Sequence, residues 1–280
     1  MVKFLRCRVM VCAVVVFLVT DGFSAFEYKL LSAYSAGCGG AQAVSEPEPL
    51  SIFYMPCNLV LLNRFSIQTF YTRIFNMEEL SVNAAAFGFP VLKSVCLAAG
   101  YSVFGKRELY QEQEIVLACG LRIKEISSLG LAVRFMSLEI NEQDYINKIE
   151  YVPAFDISCG FKKNPVFISF LIKNINSAQI GRNYKENIGR EIVLGVNLLI
   201  NARVNMYMES FKEIPYDLSF RYGIDYKITD GLKLLFGMQA RPAFIGAGFC
   251  VKLFKLRLDY SIRSHQYLSL QHLTSFSLYF

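Results

Sequence analysis

Apolar and polar side chains alternate with a period of two along most of the chain. Between positions 216 and 228, Tyr216, Leu218, Phe220, Tyr222, Ile224, Tyr226 and Ile228 fall on one face. Asp217, Ser219, Arg221, Gly223, Asp225 and Lys227 fall on the other. The last residues repeat the pattern, with Phe276, Leu278 and Phe280 against Ser275, Ser277 and Tyr279. A period of two is the mark of a strand with two unlike faces. Fourteen such segments can be drawn, at 64–73, 80–91, 94–104, 111–123, 130–138, 154–162, 166–173, 191–200, 204–211, 216–228, 232–241, 244–251, 255–263 and 268–280. The second is the least regular, because Ala84, Ala85 and Ala86 blur the alternation.

The links between segments sort by parity. The two longest, 139–153 and 174–190, follow odd segments, and the links after even segments are mostly tight. Short turns at one end and longer loops at the other belong to an even-stranded membrane barrel. The expectation is therefore all-β: a transmembrane antiparallel β-barrel of about 14 strands over residues 64–280. The closing strand would carry His272, Phe276, Leu278 and Phe280, and would be the segment offered to the barrel-assembly machinery.

Composition agrees. The chain is 54% hydrophobic and 14% aromatic, with mean hydropathy +0.34, yet charges recur every few residues. Beyond the N-terminus no uncharged run approaches the roughly 20 residues a membrane helix needs. A soluble β-sandwich would show fewer outward aromatics and more Gly- and Pro-rich turns. Trp is absent, so an interfacial girdle would be built from Tyr and Phe. The formal charge of +6 is spread along the strands, and no basic patch with interleaved aromatics points to nucleic acid.

Residues 1–25 read as a signal peptide: Lys3, Arg6 and Arg8, an apolar core through Val14-Val15-Val16-Phe17-Leu18, then small residues, with cleavage near Ser24 or Ala25. The destination is a bacterial-type outer membrane, with its lipid as the first partner. Six cysteines remain, with no C-x-x-C spacing. Four lie in predicted strands, and Cys38 and Cys57 flank the N-terminal segment, where pairing in an oxidising compartment is an open alternative.

Residues 26–63 alternate poorly and read as a plug folded into the barrel. Gly37, Gly39, Gly40 and Pro56 are the candidate plug or gate positions. The glycines lack the Lys-Ser/Thr of a phosphate loop, so tight turning and close packing account for them.

Gly37-Cys38-Gly39-Gly40-Ala41, then acidic residues, then Tyr54-Met55-Pro56-Cys57-Asn58-Leu59 resembles the start of PorV/PorQ-type outer-membrane proteins of the FadL superfamily. Those proteins carry Gly-x-Gly-Gly-Ala and Tyr-Asn-Pro-Ala-Gly-Leu-like elements. Leu258-Asp259-Tyr260, Leu268-Ser269-Leu270-Gln271-His272 and the final Phe280 resemble their closing strands. Met55, Cys57, Asn58 and Ser269 depart from the pattern. The resemblance implies a barrel near fourteen strands and two functions. One is binding or transport of small hydrophobic molecules through the lumen. The alternative is a PorV-like scaffold that holds exported proteins by its extracellular loops, here residues 141–152 and 174–190.

Candidate chemistry is sparse. His265 and His272 are the two histidines, no Gly-x-Ser-x-Gly is present, and neither an enzyme nor a cofactor is expected. His272 is expected to pack or hydrogen-bond at the closing seam. The candidate lumenal lining is Arg221, Asp225, Lys233, Arg241, Arg257, Asp259 and Arg263, with Lys227 and Lys255 on the same faces. Both signs occur, so paired charges that stiffen the barrel compete with a polar conduit. Leu199, Tyr207, Leu235, Phe167 and Leu171 are expected inward as apolar interruptions.

Overall fold

The structure is a computed structural model describing residues 25–27, 29–43, 47–142, 145–146, 151–181, 185–265 and 268–280. Of the expected leader, residues 1–25, all but Ala25 lie outside them. Among the described residues no helix is long and apolar enough to cross a membrane.

Fourteen strands form the wall. They are β1 (Ser66–Arg73), β2 (Ser81–Leu92), β3 (Val95–Lys106), β4 (Tyr110–Lys124), β5 (Ser127–Glu142), β6 (Val152–Lys163) and β7 (Val166–Ile172). The second half is β8 (Arg190–Asn201), β9 (Val204–Ile214), β10 (Ser219–Thr229), β11 (Leu232–Gln239), β12 (Phe244–Leu253), β13 (Leu256–His265) and β14 (Gln271–Tyr279). Each pairs antiparallel with its sequence neighbours, and β14 pairs with β1 in the register Thr69↔Phe276, so the sheet closes into a barrel. Closure leaves no strand edge free.

The six links after even strands β2 to β12 are two-residue hairpins, such as 93–94, 164–165 and 254–255. The links at the opposite end are longer, up to 173–189 between β7 and β8. The link expected at 139–153 is shorter, because β5 runs on to Glu142 and pairs there with Tyr145–Ile146. Its polar stretch Glu139-Ile140-Asn141-Glu142 lies past the apolar band, so the alternation that marks a strand has faded. β10 starts at Ser219 instead of 216. Tyr216 stands in the link, where its hydroxyl donates to the Glu27 carboxylate.

The pleat sorts side chains as the alternation predicts. Phe87, Leu117, Phe220, Ile224 and Phe276 face outward and are exposed, whereas Gln68, Ser158, Arg221, Asp225, Ser275 and Ser277 face inward and are buried. The exterior is apolar, and the interior mixes these polar groups with buried apolar ones such as Val82, Val116 and Leu171, which suits a barrel in lipid packed on an inner segment.

The lumen is filled by the N-terminal segment, which is buried almost throughout from Leu30 to Leu62 among its described residues. It starts beside Glu112 at the long-link end, where the Phe26 N–H donates to that carboxylate at 3.1 Å. It ends at the hairpin end and turns into β1. Helix α1 (Ala33–Gly37) begins at Ser32, whose hydroxyl accepts from the Ser35 N–H at 3.3 Å, and packs on β11 to β14. Gly39 and Gly40, with φ of 69° and 85°, turn the chain after the helix. Two 3-10 turns follow, Pro49–Phe53 and Pro56–Leu61, each with proline in the first position, where its fixed φ suits a helical start. The first packs on β1 to β4, the second on β3 to β6. Leu50, Ile52, Phe53, Met55 and Leu59 are the fully buried apolar contacts. Each is worth about 1.5–3 kcal/mol over an exposed side chain.

Candidate functional site

Polar groups on the wall take hold of the inner segment at several places, among them four clusters built on charged side chains. At the first, the Tyr34 hydroxyl of α1 donates to Asp225 Oδ2 at 2.7 Å, and Tyr207 donates to the same carboxylate. Asn205 Nδ2, at 3.0 Å, and Lys233 Nζ, at 3.5 Å, complete its shell. At the second, Glu48 accepts from Gln68 at 2.9 Å and from Tyr54, and lies 3.5 Å from the Arg257 guanidinium. Arg257 also holds Asp259 at 2.9 Å, and its guanidinium carbon lies 4.9 Å from the Tyr34 ring centre. Burial pushes the Glu48 carboxyl up, and Arg257 pulls it back.

At the third, Glu209 Oε2 accepts the Gln42 and Ala43 N–H groups at 2.8 and 2.7 Å while its other oxygen pairs with Arg221 at 2.7 Å. At the fourth, Arg134 of β5 bridges Glu114 and Asp156 and donates to the Phe53 carbonyl. Close approach of backbones supplies the rest of the fit. A Cβ on Gly237 would lie 2.3 Å from Gly39 N, and a Cβ on Gly39 would lie 2.3 Å from Met238 N. Gly37 abuts Leu235, and Pro56 opens the turn facing β4 to β6.

Above this filled lumen, at the long-link end, lies a cavity of about 620 Å³. Its floor is Leu30 with Glu27 and Lys29, and its walls include Ile74, Phe75, Phe211, Phe244, Arg221 and Arg263. Two guanidinium groups lie over aromatic faces, Arg221 over Phe211 at 3.9 Å and Arg263 over Phe244 at 3.5 Å. His265 stands between Phe75 and Phe244, with ring centres 5.4 and 5.2 Å away. The site is thus a bowl in which aromatic and apolar side chains alternate with charged ones of both signs, Glu213 and Asp217 as well as the two guanidinium groups laid flat on the aromatic faces. On the far side of the segment a void of about 60 Å³ is lined by paired charges, among them Lys29 with Glu112 and Lys173 with Glu191.

Arg221, Asp225, Arg257 and Asp259 point inward and are buried; Lys233 and Arg263 are half-buried there. β11 ends at Gln239, so Arg241 stands past the wall and lines the mouth of the bowl from its rim, with its side chain 72% exposed, 3.8 Å from Asp217. Lys227 pairs with Asp230 at 2.5 Å near the hairpin end, and Lys255 lies in a hairpin, off the lining. Phe167, Leu171 and Leu235 are buried inward. Leu199 is not buried: it pairs with Asn205 near the hairpin end of β8, just before the ladder shifts register, and its side chain is exposed there. Tyr207 is inward but not an apolar interruption, since its hydroxyl belongs to the Asp225 shell.

His272 hydrogen-bonds the Tyr260 hydroxyl at 2.7 Å across β13–β14, so its ring does not bridge the seam with β1. There its backbone carbonyl accepts from Thr72 at 2.7 Å. Phe276 and Phe280 face outward, and the Phe280 ring lies 5.1 Å from Phe65. Cys38 and Cys57 are not joined by a disulfide: Cys38 faces β10 and β11, while the Cys57 N–H donates to Ser158 of β6 at 2.9 Å. Among the described residues no cluster of His, Cys, Asp or Glu is placed to hold a metal.

Tyr34, Glu48, Arg134 and Glu209 escaped the sequence reading. Arg134 and Glu209 had a usable signal, since each shares the inward parity of its strand with small or buried neighbours. Tyr34 and Glu48 had none, because the inner segment has no period.

Solved barrels of the same shape exist at low sequence identity. The CymD monoaromatic hydrocarbon channel superposes with TM-score 0.67 at 11% identity, covering 91% of this chain and 99% of that one. The chain has a FadL-like fold. A Pseudomonas aeruginosa FadL homologue gives TM-score 0.64 at 10% identity, over 92% of this chain and 99% of that one. The Ralstonia pickettii toluene transporter TbuX gives 0.62 at 10% identity, over 92% and 98%. No family model matches the chain, and no curated protein matches it significantly.

Proposed function

We propose that this FadL-like barrel sits in a bacterial outer membrane and moves small hydrophobic molecules across it, without a cofactor. The observation that carries this reading is the 620 Å³ bowl of Phe75, Phe211 and Phe244 above a segment held by polar contacts. An apolar cavity with a few oriented polar groups is the usual form of a small-molecule site. Neighbours of this fold include a monoaromatic hydrocarbon channel and a toluene transporter, which points to aromatic hydrocarbons as the cargo class. Cargo enters at the long-link end, rests in the bowl, and passes when the segment at 26–63, acting as a plug, lets go of the wall. Residues 1–25 are removed as a signal peptide, and β14 with its terminal Phe280 is the strand offered to the assembly machinery.

Uptake tests this reading. Proteoliposomes holding the barrel should accumulate labelled toluene faster than empty ones and saturably. Phe244→Ala should slow uptake while the heat-shifted gel band of a closed barrel is kept. Non-saturable leakage equal in both preparations would sink transport.

A second reading follows from one observation: the inner segment is buried along its course and fills the lumen. A closed barrel suits a PorV-like scaffold that holds exported proteins by the loops at 141–152 and 174–190. Surface proteins that co-purify with the wild type and are lost when those loops are shortened would favour it.

A further inference from the structure

Cations that look scattered in the sequence gather at one end of the barrel. Five of the six two-residue hairpins carry a lysine or arginine in the turn or at the strand end beside it, the sixth being Asp230-Gly231, and Arg64 stands where the chain enters β1. Lys93, Lys124, Lys162, Lys163, Arg203 and Lys255 are exposed, and none is in an ion pair among the described residues. Glu125 and Asp230 are the acidic residues in these turns, and Asp230 is held by Lys227. The opposite end mixes the signs, as in the pairs Arg107–Glu139 and Arg241–Asp217.

Large apolar side chains share the same turns. Leu92, Ile123, Ile126, Leu253 and Phe254 are exposed, Phe254 at 99%. Long cationic side chains beside exposed apolar ones are the pattern of a membrane interface, where stems lie along acyl chains and charged heads reach the phosphates.

We infer that this rim binds the headgroups of anionic phospholipids in the leaflet on the hairpin side. The distribution selects lipid over a protein partner. The cations stand at five of the six hairpins and at Arg64, spread round the rim as an annulus of lipid is, whereas a docked protein would engage one sector. The charge is also a property of the closed barrel, since β1 and β14 must pair before Arg64 and Lys255 share a ring with Lys162.

The test is lipid selectivity of the full barrel in vesicles of phosphatidylcholine with spin-labelled phosphatidylglycerol or spin-labelled phosphatidylcholine. The motionally restricted fraction should favour phosphatidylglycerol by about twofold or more at low salt, and the preference should fade at roughly 0.5 M salt. Replacing the six exposed cations by Gln should bring it near one. Two half-variants, K93Q/K124Q/K255Q and K162Q/K163Q/R203Q, should each lose part of it and guard against a variant that does not fold. K106Q/R107Q/K185Q at the other end should change nothing. No preference in the wild type, or an unchanged one in the six-fold variant, overturns the inference. So does binding of soluble polyglutamate without lipid selectivity, which would assign the rim to an acidic protein.

Discussion

Gly39 of the inner segment and Gly237 of β11 touch backbone to backbone, with no room for a Cβ on either. At Gly39 the positive φ of 69° adds backbone strain to the clash for any other residue. Gly39→Ala should therefore destabilise the barrel by about 1–3 kcal/mol. Gly237→Ala, in ordinary strand geometry, should act through the clash alone and loosen the segment. Urea unfolding reads the first effect and trypsin sensitivity of the folded barrel the second. Unchanged proteolysis of Gly237→Ala would show that the segment yields at that point without leaving the wall.

The contact between Glu48 and Arg257 joins the segment to β13 where neither side chain reaches water. Arg257→Ala leaves Glu48 and Asp259 buried without their cation. Loss of one partner from such a cluster costs about 3–5 kcal/mol, more than the pair is worth against an apolar substitute. Glu48→Gln keeps an acceptor for the Tyr54 hydroxyl and should cost less than Glu48→Ala. A double-mutant cycle with Arg257→Met measures the coupling. Additive losses would mean that Arg257 serves Asp259 and leaves the segment unheld.

Strand number and sidedness were legible because lipid and lumen impose opposite demands on alternate residues, as Phe220, Tyr222 and Ile224 against Arg221 and Asp225 show. The end of β11 was not legible, because alternation continues to Arg241 past the last ladder pair at Gln239, and only pairing says where a wall stops. The latches were invisible for another reason. Glu48 meets Arg257 across 209 positions of sequence, and Tyr34 meets Asp225 across 191. No local period encodes either meeting. The basic rim escaped likewise, since one or two cations at each of five hairpins become a ring only after closure.

If the inner segment blocks the lumen, its removal should open a pore. A barrel lacking residues 29–62 should give steady single-channel conductance in planar bilayers, where the intact chain stays silent or flickers. The wall should survive, because its strand pairing is independent of the segment. Its inward charges Arg221, Glu209 and Arg134 then face water. Intact and truncated chains conducting alike would show that the path bypasses the segment.

The cysteines give a readout of the segment in place. Cys38 and Cys57 are buried inside the barrel without a disulfide between them, while Cys159 is exposed on the outer face. A lipid-soluble maleimide should label Cys159 in the folded protein. A water-soluble one should reach Cys38 and Cys57 only after boiling in SDS, and without reductant, because they are not bonded to each other. Burial pushes the Cys57 thiol up to about 12 from an ordinary value of 9.0, so raising the pH to 10 should not expose it to alkylation while the segment stays seated. The sign for stability follows. A raised folded value means that the neutral thiol's contribution is complete below about pH 9 and is lost as the pH climbs toward 12. Cys57→Ser keeps the small polar shape and removes most of that titration, so its unfolding midpoint should fall less between pH 9 and 12 than the wild type's. Equal slopes would mean that Cys57 is ionised or solvated in the folded barrel, and that the segment does not sit sealed against β6.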